Sequence, residues 1–109
     1  MDPVALMNWP FLKADASAYA LSVTDSDASV ALPAGGYHVV LVSASTPGAT
    51  LCIGGAAEAP TNGGGAVAAS LAMVPGAVYT LQIRNGDGDL HAVMNTSGQS
   101  GTLYINKVR

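Results

Sequence analysis

The sequence predicts an all-β chain: a single-domain antiparallel β-sandwich or small jelly roll of about eight strands, preceded by an N-terminal arm. Three observations carry this. Apolar residues recur with a period of two from residue 18 onward, the pattern of half-buried strands and not of helices. Clusters of Gly, Pro, Asn and Asp break the pattern at short, near-regular intervals. The 109 residues suffice for one domain with its own core, without disulfide staples. The division is therefore 1–17 as the arm and 18–109 as the sandwich domain.

The arm differs in composition from everything after it. Val4, Leu6, Met7, Trp9, Phe11 and Leu12 crowd together, and the single Trp and single Phe of the chain both fall here. Asp2-Pro3 suits the start of a short helix, with Asp as N-cap and Pro at the first helical position. Pro10 would end it, because proline restricts the residue before it. Two roles are open to this segment: packing on its own domain, or reaching a neighbouring subunit through Trp9, Phe11 and Leu12, since aromatic anchors dominate many interfaces.

The strands follow in order. Tyr19, Leu21 and Val23 alternate with Ala20 and Ser22, and Val30 and Leu32 resume the alternation after Asp25-Ser26-Asp27. Pro33 to Gly36 is a turn. Tyr37 to Val42 is apolar on both faces apart from His38, which reads as a central strand. Thr46-Pro47-Gly48 ends that run and Ala49 to Ile53 forms the next strand. Gly54 to Gly65 is the longest irregular stretch, holding Pro60, Asn62 and the triplet Gly63-Gly64-Gly65. Ala66 to Val74 has alanines that would suit a helix. It is short and bounded by Gly65 and Pro75-Gly76, with Val67, Leu71 and Met73 on one strand phase, so a strand is expected. Val78 to Arg84 alternates cleanly, with Tyr79, Leu81 and Ile83 facing one way. Asn85 to Asp89 is a turn of the type hairpins use, because Asn-Gly and Asp-Gly accept positive φ. Leu90, Ala92 and Met94 alternate next, Asn95 to Ser100 turns the chain, and Leu103 and Ile105 alternate with Thr102, Tyr104 and Asn106 in the last strand.

Charge sets the functional limits. From Ala16 to Ile83, 68 consecutive residues, only Asp25, Asp27 and Glu58 are charged, and all three fall in expected turns. Charged residues make up 10% of the chain, against about a quarter in an ordinary soluble domain. Mean hydropathy is +0.36, yet no run approaches the roughly 18 unbroken apolar residues of a membrane helix. The net charge of −3 and the scattered Lys13, Arg84, Lys107 and Arg109 argue against nucleic acid, whose phosphates need clustered Lys and Arg. Membrane partners are not expected either. Met1-Asp2-Pro3 lacks the basic opening of a secretory signal, so synthesis in a cytoplasm is expected. Cys52 is the single cysteine, set in the apolar run Thr50 to Ile53, and reads as a small buried hydrophobe.

Few residues offer chemistry. His38 and His91 are the only histidines, each in an expected strand, and the nearest acidic residue in sequence is Asp89 beside His91. Zinc needs three or four ligands, and none are spaced to supply them. Asn85, Asp87 and Asp89 match the first three ligand positions of a calcium loop, but Leu90 stands where its glycine is required and Thr96 where its glutamate is required. The glycine triplet lacks the Lys-Ser/Thr that completes a phosphate loop. No nucleophile has a base placed beside it by sequence. The chain is read as a non-enzyme with no catalytic residues, cofactor or metal.

Ser29-Val30-Ala31-Leu32-Pro33, Val39-Val40-Leu41-Val42, Met73-Val74-Pro75-Gly76 and Gly101-Thr102-Leu103-Tyr104-Ile105 together resemble the layout of small virion proteins of tailed bacteriophages. The resemblance covers roughly residues 22–106 and is one of pattern and composition. It implies a capsid decoration (cement) protein, a β-sandwich that binds the outside of an icosahedral shell, contacts the major capsid protein and clamps adjacent capsomers. The Trp9-bearing arm fits an anchoring segment but lies outside the part that resembles the class. Edge strands are usually guarded by Lys, Pro or inward charges, and no Lys occurs between Ala16 and Ile83. A homo-oligomer, expected to be a trimer, located on the virion surface, follows from these two readings. Another virion part, such as a head–tail connector, tail component or spike base, would use the same surface. A carbohydrate- or receptor-binding module is a further alternative, with Tyr104 as the exposed aromatic beside Thr102 and Asn106. If Asn85, Asp87 and Asp89 form only a turn, the melting temperature will be the same with calcium and with chelator; a calcium-dependent rise of several degrees would reverse that reading.

Overall fold

The computed structural model describes residues 18–60, 64–67 and 71–108. Within them the chain forms β1 (Ala18–Val23), β2 (Ala28–Val30), β3 (Gly35–Val42), β4 (Ala49–Ile53), β5 (Leu71–Met73), β6 (Val78–Ile83), β7 (Leu90–Met94) and β8 (Gly101–Lys107). Two four-stranded sheets result, ordered β1-β8-β3-β6 in sheet A and β2-β7-β4-β5 in sheet B. All neighbours are antiparallel. β1 pairs with β8, β2 with β7, β3 with β6 and β4 with β5. Such nested pairing is what one long hairpin gives when rolled on itself, with its closed end between β4 and β5. Successive strands alternate between sheets everywhere except at that end. This is a jelly roll, and the all-β sandwich expected from the period-two pattern is the observed fold.

The alternation fixes the core. In sheet A, Val39 pairs with Ile105 and Leu41 with Leu103, all pointing inward and essentially inaccessible. In sheet B, Ala49 lies opposite Met94 and Leu51 opposite Ala92, so each bulky side chain faces an alanine. That large–small matching fills the inter-sheet space without overpacking. Tyr37 is also fully buried, and its hydroxyl donates to the Pro33 carbonyl. Leu32 joins the same core from the loop after β2 and not from a strand.

Two local expectations change. The stretch from Ala66 to Val74 holds a strand only at Leu71–Met73; residues 64–67 are not strand, and 68–70 lie outside the described residues. The Asn85 to Asp89 turn does not close a hairpin, because β6 and β7 lie in different sheets. Gly86 and Gly88 do take the positive φ the sequence anticipates, at 87° and 95°, but they turn the chain across the sandwich. Local turn chemistry cannot distinguish these outcomes. Trp9, Phe11, Leu12 and the rest of 1–17 lie outside the described residues.

One glycine is required twice over. Gly48 has φ of +75°, and a Cβ there would run into the Met73 carbonyl of the neighbouring strand β5. Gly98 has a similar φ of +78° but open space around it. Gly98→Ala is therefore expected to lose only about 1 kcal/mol, the cost of a left-handed conformation. Gly48→Ala should lose at least ~2 kcal/mol, since backbone must also shift. Urea denaturation of both variants reads the difference; equal losses would mean that the β4–β5 approach is unimportant.

Candidate interaction surface

The two sheets treat their outer faces differently. In sheet B the outward residues Thr50, Cys52 and Val93 are buried, although alternation would expose them. The segment following β4 runs back over them: Ala57, with Ala59 beside it, packs on Cys52 and Val93. Asp27 holds that segment down. One of its carboxylate oxygens accepts the Ala57 N–H at 2.8 Å, and the other accepts from His91 Nδ1 at 2.9 Å. Thr50 Oγ1 is satisfied by donating to Asn95 Oδ1 at 2.6 Å.

Asp25 does similar work at the neighbouring turn, accepting the Gly98 N–H at 2.7 Å. Two of the three charges between Ala16 and Ile83 are thus engaged in tying loops together.

His91 donates its Nδ1 proton to Asp27, which leaves Nε2 as the acceptor nitrogen in the neutral ring. Partial burial pushes the Asp27 carboxyl up, but the hydrogen bonds from His91 and Ala57 and the charge of a protonated His91 outweigh it and hold the group below its ordinary value. Sequence proximity pointed to Asp89 as the partner of His91; the pairing of β2 with β7 brings Asp27 there in its place. Asp87 turns its carboxylate onto its own turn, accepting the Arg84 N–H at 2.7 Å with the Arg84 Nε 3.6 Å away. Among the described residues no group of three His, Cys, Asp or Glu is placed to hold a metal ion.

Among the described residues nothing covers the outer side of sheet A. The register aligns Ala18, Asn106, His38 and Thr80 in one row, and Ala20, Tyr104, Val40 and Val78 in the next. Ser22, Thr102 and Val42 form a third, and Gln82 extends β6 beyond the first row. None of these is Asp, Glu, Lys or Arg. Val78 is 65% exposed, Val42 58% and Tyr104 46%. A shallow hollow of about 230 Å³ lies between His38, Val40, Val78 and Asn106.

Tyr104 is the one sequence-nominated contact residue that the described structure places, and it sits in the middle row of this face. Val40, Val42 and Val78 were not nominated. The signal for them is the run Tyr37 to Val42, apolar on both faces: its inner residues are buried by sheet B, whereas its outer residues have no cover among the described residues.

No family model, curated protein or solved structure matches the chain. What the geometry of the described residues defines is a jelly-roll domain with one sheet roofed by its own chain and the other presenting an outer face without ionic side chains.

The Asp27 tie has a pH consequence. A carboxyl whose folded pKa is lowered contributes stability that is present above its unfolded value, near 3.9, and is lost as pH falls through the folded value. Asp27→Asn should therefore melt below the parent at pH 7, and the gap should close as pH drops from about 4 toward 2. A gap constant over that range would show that the charge on Asp27 is immaterial.

Proposed function

We propose that this chain is a non-enzymatic virion structural protein that coats the outer capsid surface and stabilises contacts between capsomers, as a decoration or cement protein acting as a homo-oligomer. The observation that carries the reading is the outer face of sheet A, with Val42, Val78 and Tyr104 exposed and no ionic side chain among them. A solvent-facing sheet ordinarily carries polar residues on its wet side. A face that lacks charges over three strand-paired rows is suited to contact with protein, because burying it strands no ion.

The face is also small. Four strands at about 4.8 Å spacing and three rows at about 6.8 Å give a footprint on the order of 400 Å². Stable pairwise complexes bury about 800 Å² per partner. A single copy would therefore bind weakly, and repeated contacts on a lattice raise the effective concentration and hold many copies together. The jelly roll itself is shared with capsid and lectin domains and decides nothing alone.

A second reading has one specific observation behind it. Tyr104 is exposed beside Asn106 and diagonal to His38 on the adjoining strand β3, an aromatic with polar neighbours of the kind that receives a sugar ring. Glycan binding lost on Tyr104→Ala would favour that module over a capsid role.

The capsid reading is tested on purified particles. Quantitative mass spectrometry should find the chain in copy numbers comparable to the shell subunits; a handful of copies would overturn it in favour of a connector, tail or spike part, and absence would overturn every virion reading. Val78→Asp should lower occupancy on particles at least tenfold, about 1.4 kcal/mol, with the melting temperature nearly unchanged because Val78 is exposed. Undiminished occupancy would remove the outer face of sheet A from the contact.

A further inference from the structure

The roof over sheet B is built differently from the sheets beneath it. Residues 55–60 belong to no strand, so no ladder of backbone hydrogen bonds carries them. What they cover is also separate from the main core. Cys52, Val93 and Ala57 form a small cluster of their own, with Ala59 beside it, on the other side of sheet B from Leu51, Leu90 and Met94. Among the described residues the roof thus contributes the methyl groups of two alanines. Little apolar area is gained there, and lifting the roof would leave the inter-sheet core closed.

The stretch has a fixed end, a pivot and a tie. Gly54 is the fixed end. Its N–H donates to the Asp89 carbonyl at 2.9 Å, and a Cβ on Gly88 would come within 2.8 Å of Gly54 Cα. Gly55 is the pivot, with nothing within 4 Å of where a Cβ would lie. Two residues on, Asp27 of the β1–β2 turn holds the Ala57 N–H with one carboxylate oxygen and His91 Nδ1 with the other. The tie is a side chain reaching over from another turn.

We infer that residues 55–60 form a strap that swings off sheet B about Gly55 while the sandwich stays folded, and that the Asp27 carboxylate is its latch. Opening bares Cys52 and Val93, on the opposite side of the molecule from the outer face of sheet A. Local openings cost only the contacts they break, so they can occur far more often than global unfolding.

The latch is built to release in acid. The titratable groups on the elements that meet there are Asp25 and Asp27 on the turn, Asp89 and His91 at the start of β7, Glu58 on the strap and Cys52 on β4. Asp27 bonds to strap and sheet together, and its charge strengthens both bonds. Burial pushes its carboxyl up, but the hydrogen bonds from His91 and Ala57 hold it below its ordinary value. A tie of this sign is whole above about pH 3.9 and is lost as pH falls through the folded value.

The strap belongs to the isolated protein and holds whether or not sheet A meets a capsid. It is measured without particles, so its failure and that of the virion reading are separable.

Cys52 reports the opening. The full-length chain is labelled with dithiodipyridine, and each rate is divided into that of the urea-unfolded chain at the same pH, because the thiolate fraction also changes with pH. In the parent at neutral pH, labelling at low urea should be insensitive to urea, the mark of an opening that exposes little surface. Asp27→Ala should cut this protection roughly tenfold or more, with the same flat urea dependence, as expected for losing a hydrogen bond to a charged group. Protection of the parent should fall between about pH 5 and about pH 3, with its circular dichroism unchanged. That measurement needs no variant and stands even if Asp27→Ala fails to fold. In Asp27→Asn the fall with pH should vanish; its persistence would place the acid trigger elsewhere and overturn the latch. Labelling that tracks global unfolding in urea or in acid overturns the proposal, as does protection unchanged in Asp27→Ala.

Discussion

A two-sheet sandwich has four faces, and only the two that meet are covered by the sheets themselves. The inner faces cover each other through Leu41, Leu51, Leu90, Leu103 and Ile105. Among the described residues only the outer face of sheet B is roofed, by the segment after Ile53, whose Ala57 and Ala59 pack on Cys52 and Val93. The Asp27 carboxylate fixes this roof by holding Ala57 and His91 at once. Among the described residues the outer face of sheet A has no such cover, and this difference between the two faces follows from where the connection after β4 goes.

Charge follows the same logic. Asp25 and Asp27 bind N–H groups of distant loops, and Asp87 braces its own turn. Carboxylates used in this way stabilise connections between sheets but leave the sheet surfaces without ionic cover. In a monomer destined for free solution, scattered Lys and Glu on the wet faces and edges would ordinarily oppose association. The described outer face of sheet A and its β6 strand lack them.

Much of the fold was legible in the residues. The phase of Tyr79, Leu81 and Ile83, and of Leu103 and Ile105, identified inward rows correctly because side chains in a strand must alternate. The candidate surface was only half legible. Tyr104 stood out through its company of Thr102 and Asn106, whereas Val40, Val42 and Val78 read as ordinary apolar strand residues. Whether such a residue is covered depends on which segment lies over it, and that is a long-range fact. The Asp27–His91 pair was missed for the same reason: the two are distant in sequence and meet only because β2 lies against β7.

The sequence by itself determined the all-β character, the number and phase of the strands, the burial of Cys52 and the poverty of charge, since these depend on local alternation, turn-forming residues and composition. Only the tertiary structure decided that the strands nest as a rolled hairpin, that Asn85 to Asp89 crosses between sheets, that sheet B is roofed and that β6 ends the described sheet A. Those outcomes depend on which strands pair. Pairing is chosen by the packing of the whole core, through contacts that no single stretch of chain encodes.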